Sequence, residues 1–427
     1  MKVKIHRAWW VLLGCMLFFG GAVGMLNGCA GVLFTAILED TGFNSTSLSL
    51  FFSIRQTAEA IIVIGATKLM MRMEIRMFMQ LCVTVIALAF GLMSVYTNVY
   101  CWWISALLSA FSISVAMGTV SSVLRNWFHE RIGLALGICS ASAGVFGAVF
   151  NPILSALISR LGWRNAILVF AISSFMLGIL SSQLLIRRTP EEMGERPYGE
   201  KKTMTSTSVE EENDINDIFT KEAAKREDTA VPRVGLKTDT TYLIVFLCVF
   251  SGSMATALIH FLSQFSASLG NALGTGAALT SAAMIGNSTA KFSFGALCDR
   301  IGVWKTLAIQ YLAIIISLTM LCIANNRMFI MAIAGFLLGG ACSFPTVGLH
   351  ALCIEMFGNE EFEKPCSRLT AFNSFGMTLE YCLIPVIYEA TNSYYPSFVI
   401  TIGLCMFSLS MVVLFGWILY RRRMVKQ

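Results

Sequence analysis

Charge is scarce in this sequence. Of the 427 residues, only 13% are Asp, Glu, Lys or Arg, about half the share of a soluble domain. Hydrophobic residues make up 56%, and successive apolar runs exceed the roughly 20 residues that a helix needs to cross a bilayer. This composition excludes a soluble enzyme, a disordered chain and a fibrous protein. It also disfavours an outer-membrane barrel, because barrel strands alternate between polar and apolar residues. The sequence predicts a polytopic helical membrane protein.

Motifs for metals, disulfides and nucleotides are missing as well. The 13 cysteines are scattered singly, with no CxxC pair and no Cys/His cluster, so we interpret them as small core residues and predict neither a metal nor a cofactor. A Walker-type GxxxxGK[ST] run is also missing, so no function driven by nucleotide hydrolysis is predicted. The basic residues 1–7 precede an apolar run without a convincing cleavage site, which predicts a retained first helix rather than a signal peptide.

Twelve apolar segments can be drawn along the chain, which predicts an all-α protein of twelve transmembrane helices. The predicted helices are 9–38, 46–68, 77–96, 99–124, 132–159, 165–185, 240–269, 274–297, 303–324, 327–354, 369–390 and 395–420.

The region 189–239 is the one long polar stretch between them. It is too polar to bury a core, so we expect a cytoplasmic linker. It divides the chain into two predicted six-helix bundles, 1–188 and 240–427. A plain tether is the simpler interpretation of the linker, and a small regulatory helix around 214–226 is the alternative.

Basic residues collect in alternate loops and at both termini, while Arg160, Arg164 and Arg327 are exceptions. The positive-inside rule then predicts that both termini are cytoplasmic, which requires an even number of crossings. We attribute the net charge of +6 to this orientation rather than to nucleic-acid binding.

The two halves of the sequence also share a pattern of glycine and proline. The fifth helix carries Gly144 and then Pro152, and the eleventh carries Gly376 and then Pro385. A repeat of six helices is what a transporter of two rocking bundles requires.

At these motifs the sequence resembles the major facilitator superfamily. The loop from Gly295 through Asp299 and Arg300 to Gly302 is similar to the family's GxLxDRxG motif. The resemblance implies a twelve-helix fold and a conformational latch formed by Gly295, Asp299 and Arg300. The equivalent loop after the second helix has Leu69 where the family has Asp, so a symmetrical latch is not expected.

Within that superfamily, the chain is most similar to the monocarboxylate porter and oxalate/formate antiporter families. The stretch 127–137 resembles their junction between the fourth and fifth helices, and 162–164 resembles the next turn. These families have a cation, usually Arg, four residues before Gly295, where it binds the substrate carboxylate. Here that residue is Lys291, which implies a point charge in place of a bidentate fork.

Four charged residues are predicted to lie inside the membrane: Arg55, Glu59, Lys291 and Glu380. Such residues are functional candidates, because each costs roughly 2.5–3.5 kcal/mol on insertion. Asn287 and Lys291 lie on one face of the eighth helix, so we predict a polar stripe that binds a carboxylate. The alternative is a lysine that extends to the cytoplasmic face.

Arg55 and Glu59 are four residues apart, which predicts an ion pair on one face of the second helix. Arg55 is also a candidate substrate ligand if it points into the cavity. In the superfamily the second helix packs on the eleventh, so Glu380 could compete for Arg55. Glu59 and Glu380 are therefore candidates for gating or proton coupling. His260 lies near the end of a predicted helix, and we expect it at the membrane boundary, with a proton relay as the alternative.

We therefore predict a secondary active transporter, and no enzyme, that moves small organic anions across the cell membrane by alternating access, through proton symport or anion exchange. A monocarboxylate is favoured, because the second cation that oxalate exchangers carry in the eleventh helix is replaced here by Asn373 and Ser374. The alternative is proton-coupled efflux of amphipathic cations or drugs. A non-transporting nutrient sensor would need a larger folded cytoplasmic segment. The expected partners are the anion, the lipid bilayer and protons as a candidate coupling ion, with the chain acting as a monomer.

Overall fold

The structure, a computed structural model, describes residues 6–199, 238–324, 326–357 and 363–424. These residues form twelve helices, as the apolar runs predict. The helices are α1 (Arg7–Thr41), α2 (Ser45–Arg72), α3 (Ile75–Val95), α4 (Val99–Trp127), α5 (132–161), α6 (163–185), α7 (238–268), α8 (Leu273–Ile301), α9 (Val303–Ile323), α10 (328–357), α11 (Glu363–Thr391) and α12 (Tyr395–Met424).

Some helices differ from the predicted pattern. One pair is continuous where the sequence predicts a break, and α1 and α10 contain irregular stretches where the sequence predicts a regular helix. α5 and α6 form one rod that turns at Gly162, whose φ of 76° is left-handed and suits glycine. α1 contains a π-helical stretch, Leu17–Gly24. α10 changes to 3-10 geometry at Gly340–Ser343 and to π geometry at Phe344–Gly348, where Pro345 removes a backbone donor.

Helices α1–α6 form an N-terminal bundle and α7–α12 a C-terminal bundle. Among the described residues, contacts between the bundles include α1 on α7 and on α8, α2 on α11 and α5 on α8. The α5–α8 pair approaches closely at Gly144, where a Cβ atom would lie 2.2 Å from Ser288 Oγ and 2.6 Å from the Met284 carbonyl oxygen. A small residue is therefore required on α5 at this level.

The bundles are joined at one end of the molecule and separate toward the other. On α2, Ser53 donates a hydrogen bond to the Thr378 carbonyl of α11 at 3.1 Å, whereas Met71, on the same helical face, is 66% exposed. Gly137 and Gly295 continue the contacting faces of α5 and α8, yet no atom lies within 4 Å of a Cβ built on either. A cleft therefore opens toward the end at which α1 begins, which we call the basic end because it carries Arg7, Arg72 and Arg125. We call the other end the closed end.

The first part of the predicted linker is ordered. Tyr198 donates its N–H to the Trp127 carbonyl at 2.8 Å and accepts from the His129 N–H at 3.0 Å. The Tyr198 ring packs against Trp9 and Phe128. Residues 189–199 therefore lie against the basic end of the N-terminal bundle. Residues 200–237, with the regulatory helix considered around 214–226, lie outside the described residues.

Candidate functional site

Lys291 lies where the cleft between the bundles begins. It is one helical turn beyond Ser288, which donates to the Ala141 carbonyl of α5 at 2.9 Å, and one turn before Gly295, which faces open space. Residues at this spacing share a face of α8. Lys291 is half-buried, and its side chain is within electrostatic range of Cys342 on α10. Lys291 therefore faces the interior between the bundles and not the lipid.

Among the described residues, no hydrogen bond or ion pair is made by the Lys291 side chain. Asn287, one turn away on the closed-end side, is 9% exposed, and its Oδ1 has no hydrogen-bond partner in the part of the chain that the structure describes. A cation and a carboxamide thus lie side by side at the apex of the cleft. The Lys291 ammonium offers donors that a carboxylate accepts, whereas the Asn287 oxygen, unpaired among the described residues, can accept a hydrogen bond from a hydroxyl or N–H group of a substrate.

Arg55 is already neutralised in this conformation. Its Nε lies 3.1 Å from Glu59 Oε1, although the angle does not suit a hydrogen bond. Its Nη1 donates to Asn27 Oδ1 on α1, and its Cζ lies 5.5 Å from the centre of the Phe52 ring. The residue is only 3% exposed. The i,i+4 ion pair expected from the sequence is therefore present.

Arg55 and Lys291 lie at different depths. Lys291 is 18 residues from the start of α8 at Leu273, and Arg55 is 10 residues from the start of α2 at Ser45. Both helices begin at the closed end, so at 1.5 Å per residue Lys291 lies about 12 Å nearer the basic end. Lys291 and Arg55, which the sequence predicts as substrate ligands, therefore lie at different levels along the length of the helices.

An aromatic layer closes the cleft on the side of Arg55. Phe52 of α2 stacks on Tyr381 of α11 with ring centres 5.2 Å apart. The His260 ring of α7 lies 5.2 Å from Phe52 and 5.7 Å from Tyr381. His260 is therefore packed at the interface between the bundles. The buried Tyr381 hydroxyl has no hydrogen-bond partner among the described residues.

Glu380 points into the C-terminal bundle and is fully buried. Ser253 Oγ of α7 donates to Glu380 Oε1 at 3.4 Å, and Oε2 has no hydrogen-bond partner in the described ranges. Glu380 therefore does not compete with Glu59 for Arg55 in this conformation. It is a carboxyl group held in an apolar interior by one weak hydroxyl contact, an arrangement that is costly for a charged carboxylate.

The predicted latch lies at the end of α8, on the open side of the molecule. Gly295 faces open space, and Arg300 is exposed, with no ion pair to the described residues. The side chain of Asp299 lies outside the described residues. Gly302, with φ of 87°, then turns the chain into α9.

At the closed end, a cavity of about 630 Å³ lies between the ends of α1, α7 and α11. Glu389 Oε1 of α11 accepts the Thr46 backbone N–H at the start of α2, at 2.8 Å. This hydrogen bond links the two bundles. The described residues contain no group of three His, Cys, Asp or Glu side chains placed to hold a metal ion.

Asn27 escapes the sequence-based prediction. It is a polar residue within a predicted helix, which is the signal that could have identified it. The packing of Tyr381 and His260 against α2 depends on how the bundles meet and has no signal in the sequence.

Comparison with known proteins gives a family and a fold. The model of the Major Facilitator Superfamily matches residues 12–273 and 241–426. An aspartate-to-alanine mutant of the nucleoside transporter NupG aligns with a TM-score of 0.71 and 11% identity, covering 96% of this chain and 99% of that chain. Unmutated NupG aligns with a TM-score of 0.66 and 12% identity over 96% and 98% of the two chains.

A third similar structure is a bacterial homologue of the human lysosomal transporter Spinster, in an inward-facing and occupied conformation. It aligns with a TM-score of 0.62 and 12% identity, covering 95% of this chain and 96% of that chain. Identities this low show a shared fold alone. No curated protein matches this sequence.

Proposed function

Because the chain belongs to the Major Facilitator Superfamily, it is a multi-pass secondary transporter rather than an enzyme, and we propose that it carries small organic anions, with monocarboxylates as the favoured class. The observation that carries this proposal is Lys291, a cation at the apex of the cleft that has no ion pair with any described residue. A substrate carboxylate supplies the counter-ion, and the Asn287 Oδ1 atom accepts a hydrogen bond from a donor elsewhere on the substrate.

The charge count favours a monoanion over a dianion. Arg55 is already paired with Glu59 at 3.1 Å, so of the two cations Arg55 of α2 and Lys291 of α8, Lys291 is the one without an acidic partner among the described residues. Binding by Arg55 would require it to leave Glu59, a role for another conformation.

Proton symport is the coupling that Glu380 supports best. A fully buried carboxyl group with no cationic partner among the described residues is a candidate proton carrier. We propose that proton uptake and release at Glu380 accompanies anion movement, with anion exchange as the competing mode.

The second candidate substrate class, amphipathic cations, finds less support. A cation needs a carboxylate that faces the cleft, whereas Glu59 is paired with Arg55 and Glu380 is fully buried. The families with a substrate-binding cation on the eighth helix remain the better guide to the substrate.

Orientation follows from the loop charges. We propose that the basic end is cytoplasmic, so that the cleft in this structure opens inward. Residues 189–239 then connect the bundles 1–188 and 240–427 within the cytoplasm.

Counterflow in proteoliposomes tests this function. Vesicles preloaded with unlabelled lactate should accumulate labelled lactate, and external formate should compete with it, whereas a cationic dye should not. Competition by the dye but not by formate would favour the cation carrier. A lack of counterflow for both anions and cations, in vesicles that contain correctly inserted protein, would support the non-transporting nutrient sensor.

A further inference from the structure

A second site lies at the basic end, away from the cleft. Between the start of α1 and the end of α6 is a cavity of about 410 Å³. Its lining consists of Arg7, Trp10, Leu184, Leu185, Arg187 and Glu195. Three of these residues are apolar, two are cations and one is a carboxylate. We call the apolar side, Trp10, Leu184 and Leu185, the apolar wall, and the charged side, Arg7, Arg187 and Glu195, the mouth.

The apolar wall faces the bilayer. Trp10 is 50% exposed and Leu184 is 68% exposed, and both belong to helices that span the membrane. Trp is enriched at the level of the lipid headgroups. An occupant that covers this wall must therefore have an apolar part beside its polar head.

The two arginines can hold a phosphate. Arg187 Nη1 donates to the Gln183 and Ile186 carbonyls, both at 2.8 Å, which fixes the guanidinium at the mouth and leaves its other N–H groups available. Arg7 is exposed and makes no side-chain hydrogen bond or ion pair to the described residues. Arg76, by contrast, already has an acidic partner, Glu192, at 3.5 Å.

Electrostatics at the mouth also favour an anion. Burial, followed by the neighbouring Arg76 and Arg7 guanidinium groups, lowers the pKa of Arg187, and Glu192 and Glu74 offset this only in part. A phosphate between Arg7 and Arg187 would relieve this repulsion between like charges.

Glu195 narrows the choice of headgroup. Its carboxylate lines the same mouth and would repel a second negative charge, whereas it would attract an ammonium group. We propose that this groove binds a phospholipid whose headgroup carries both a phosphate and a primary amine. The phosphate lies between Arg7 and Arg187, and the amine faces Glu195. The part of an acyl chain nearest the headgroup covers Trp10 and Leu184.

Native mass spectrometry of the delipidated full-length protein tests this site. The probes are dioleoyl phosphatidylethanolamine, dioleoyl phosphatidylglycerol and, as a competitor, inorganic phosphate. The wild-type protein should bind the ethanolamine lipid more tightly than the glycerol lipid. Arg7→Gln should weaken binding by about fivefold, the effect of one basic group at a membrane surface. Arg125→Gln, an exposed arginine at the same end, is the matched control and should bind like the wild type.

Glu195→Gln supplies the sharper readout, since it should reverse the preference toward the glycerol lipid without loss of affinity for phosphate. Equal binding of the two lipids by both the wild type and Glu195→Gln would overturn the proposal. So would equal effects of Arg7→Gln and Arg125→Gln, or displacement of the lipid by millimolar phosphate, which would indicate a site for the free ion. Arg7 is exposed and has no side-chain hydrogen bond or ion pair among the described residues, so Arg7→Gln is expected to fold like the wild type.

Discussion

The hydrogen bond between Glu389 and Thr46 should help to keep the closed end shut. Glu389 Oε1 accepts the Thr46 N–H across the two bundles at 2.8 Å, and it does so at the start of α2, where the helix dipole favours a negative charge. Removal of such an acceptor costs about 1 kcal/mol, a value suited to an exposed carboxylate. We therefore expect Glu389→Ala to shift the conformational equilibrium about fivefold toward a state open at this end.

Cys382 provides a native reporter of that opening. It is half-buried on α11, and its Sγ lies 3.1 Å from Ser53 Oγ of α2, inside the interface between the bundles. The rate of Cys382 alkylation by N-ethylmaleimide, followed by peptide mass spectrometry, should rise about fivefold in Glu389→Ala.

The matched control is Glu39→Ala, because Glu39 lines the same cavity and makes no hydrogen bond or ion pair to the described residues. This variant should alkylate Cys382 at the wild-type rate. An unchanged rate in Glu389→Ala, or an equal rise in both variants, would refute the gating role of the Glu389 carboxylate.

Three further predictions concern the membrane interior. Glu380→Gln should abolish uptake driven by a proton gradient while leaving counterflow intact, and gradient-driven uptake at the wild-type rate would exclude Glu380 as the proton carrier. Gly144→Leu should lower the thermal unfolding midpoint, because overpacking costs about 1–3 kcal/mol, whereas Gly137→Ala, which faces open space, should not; equal midpoints would contradict the close α5–α8 contact. Glu59→Gln should destabilise the protein by about 2 kcal/mol in a denaturant titration, less than a fully buried pair because the Glu59 side chain is 17% exposed; a stability equal to that of the wild type would mean that Arg55 does not need this partner.

The helices were predictable because the bilayer sets the length of an apolar run. The predicted segment 99–124, for example, lies within α4, Val99–Trp127. The π geometry at Leu17–Gly24 was not predictable, because no proline marks that stretch, whereas Pro345 marks the change of geometry in α10. A hydropathy profile averages over a whole apolar run and therefore does not detect a local change of helix geometry.

The candidate site was predictable only where its residues share one helix. Lys291 and Asn287 lie on one face of α8, and Arg55 pairs with Glu59, because the period of a helix brings such residues together. Contacts between helices require the tertiary arrangement. The spacing of residues could not show that His260 packs on Tyr381 or that Glu380 faces Ser253 rather than Arg55.

Direct binding of a labelled monocarboxylate to the purified protein tests the central claim most closely. Lys291→Arg keeps a cation and should retain binding of lactate or formate within a few fold. Lys291→Gln removes the charge and should weaken binding by about 10- to 100-fold, the value of one charged hydrogen bond. If a correctly folded Lys291→Gln protein binds these anions as tightly as the wild type, the carboxylate is held elsewhere and the proposed site is wrong.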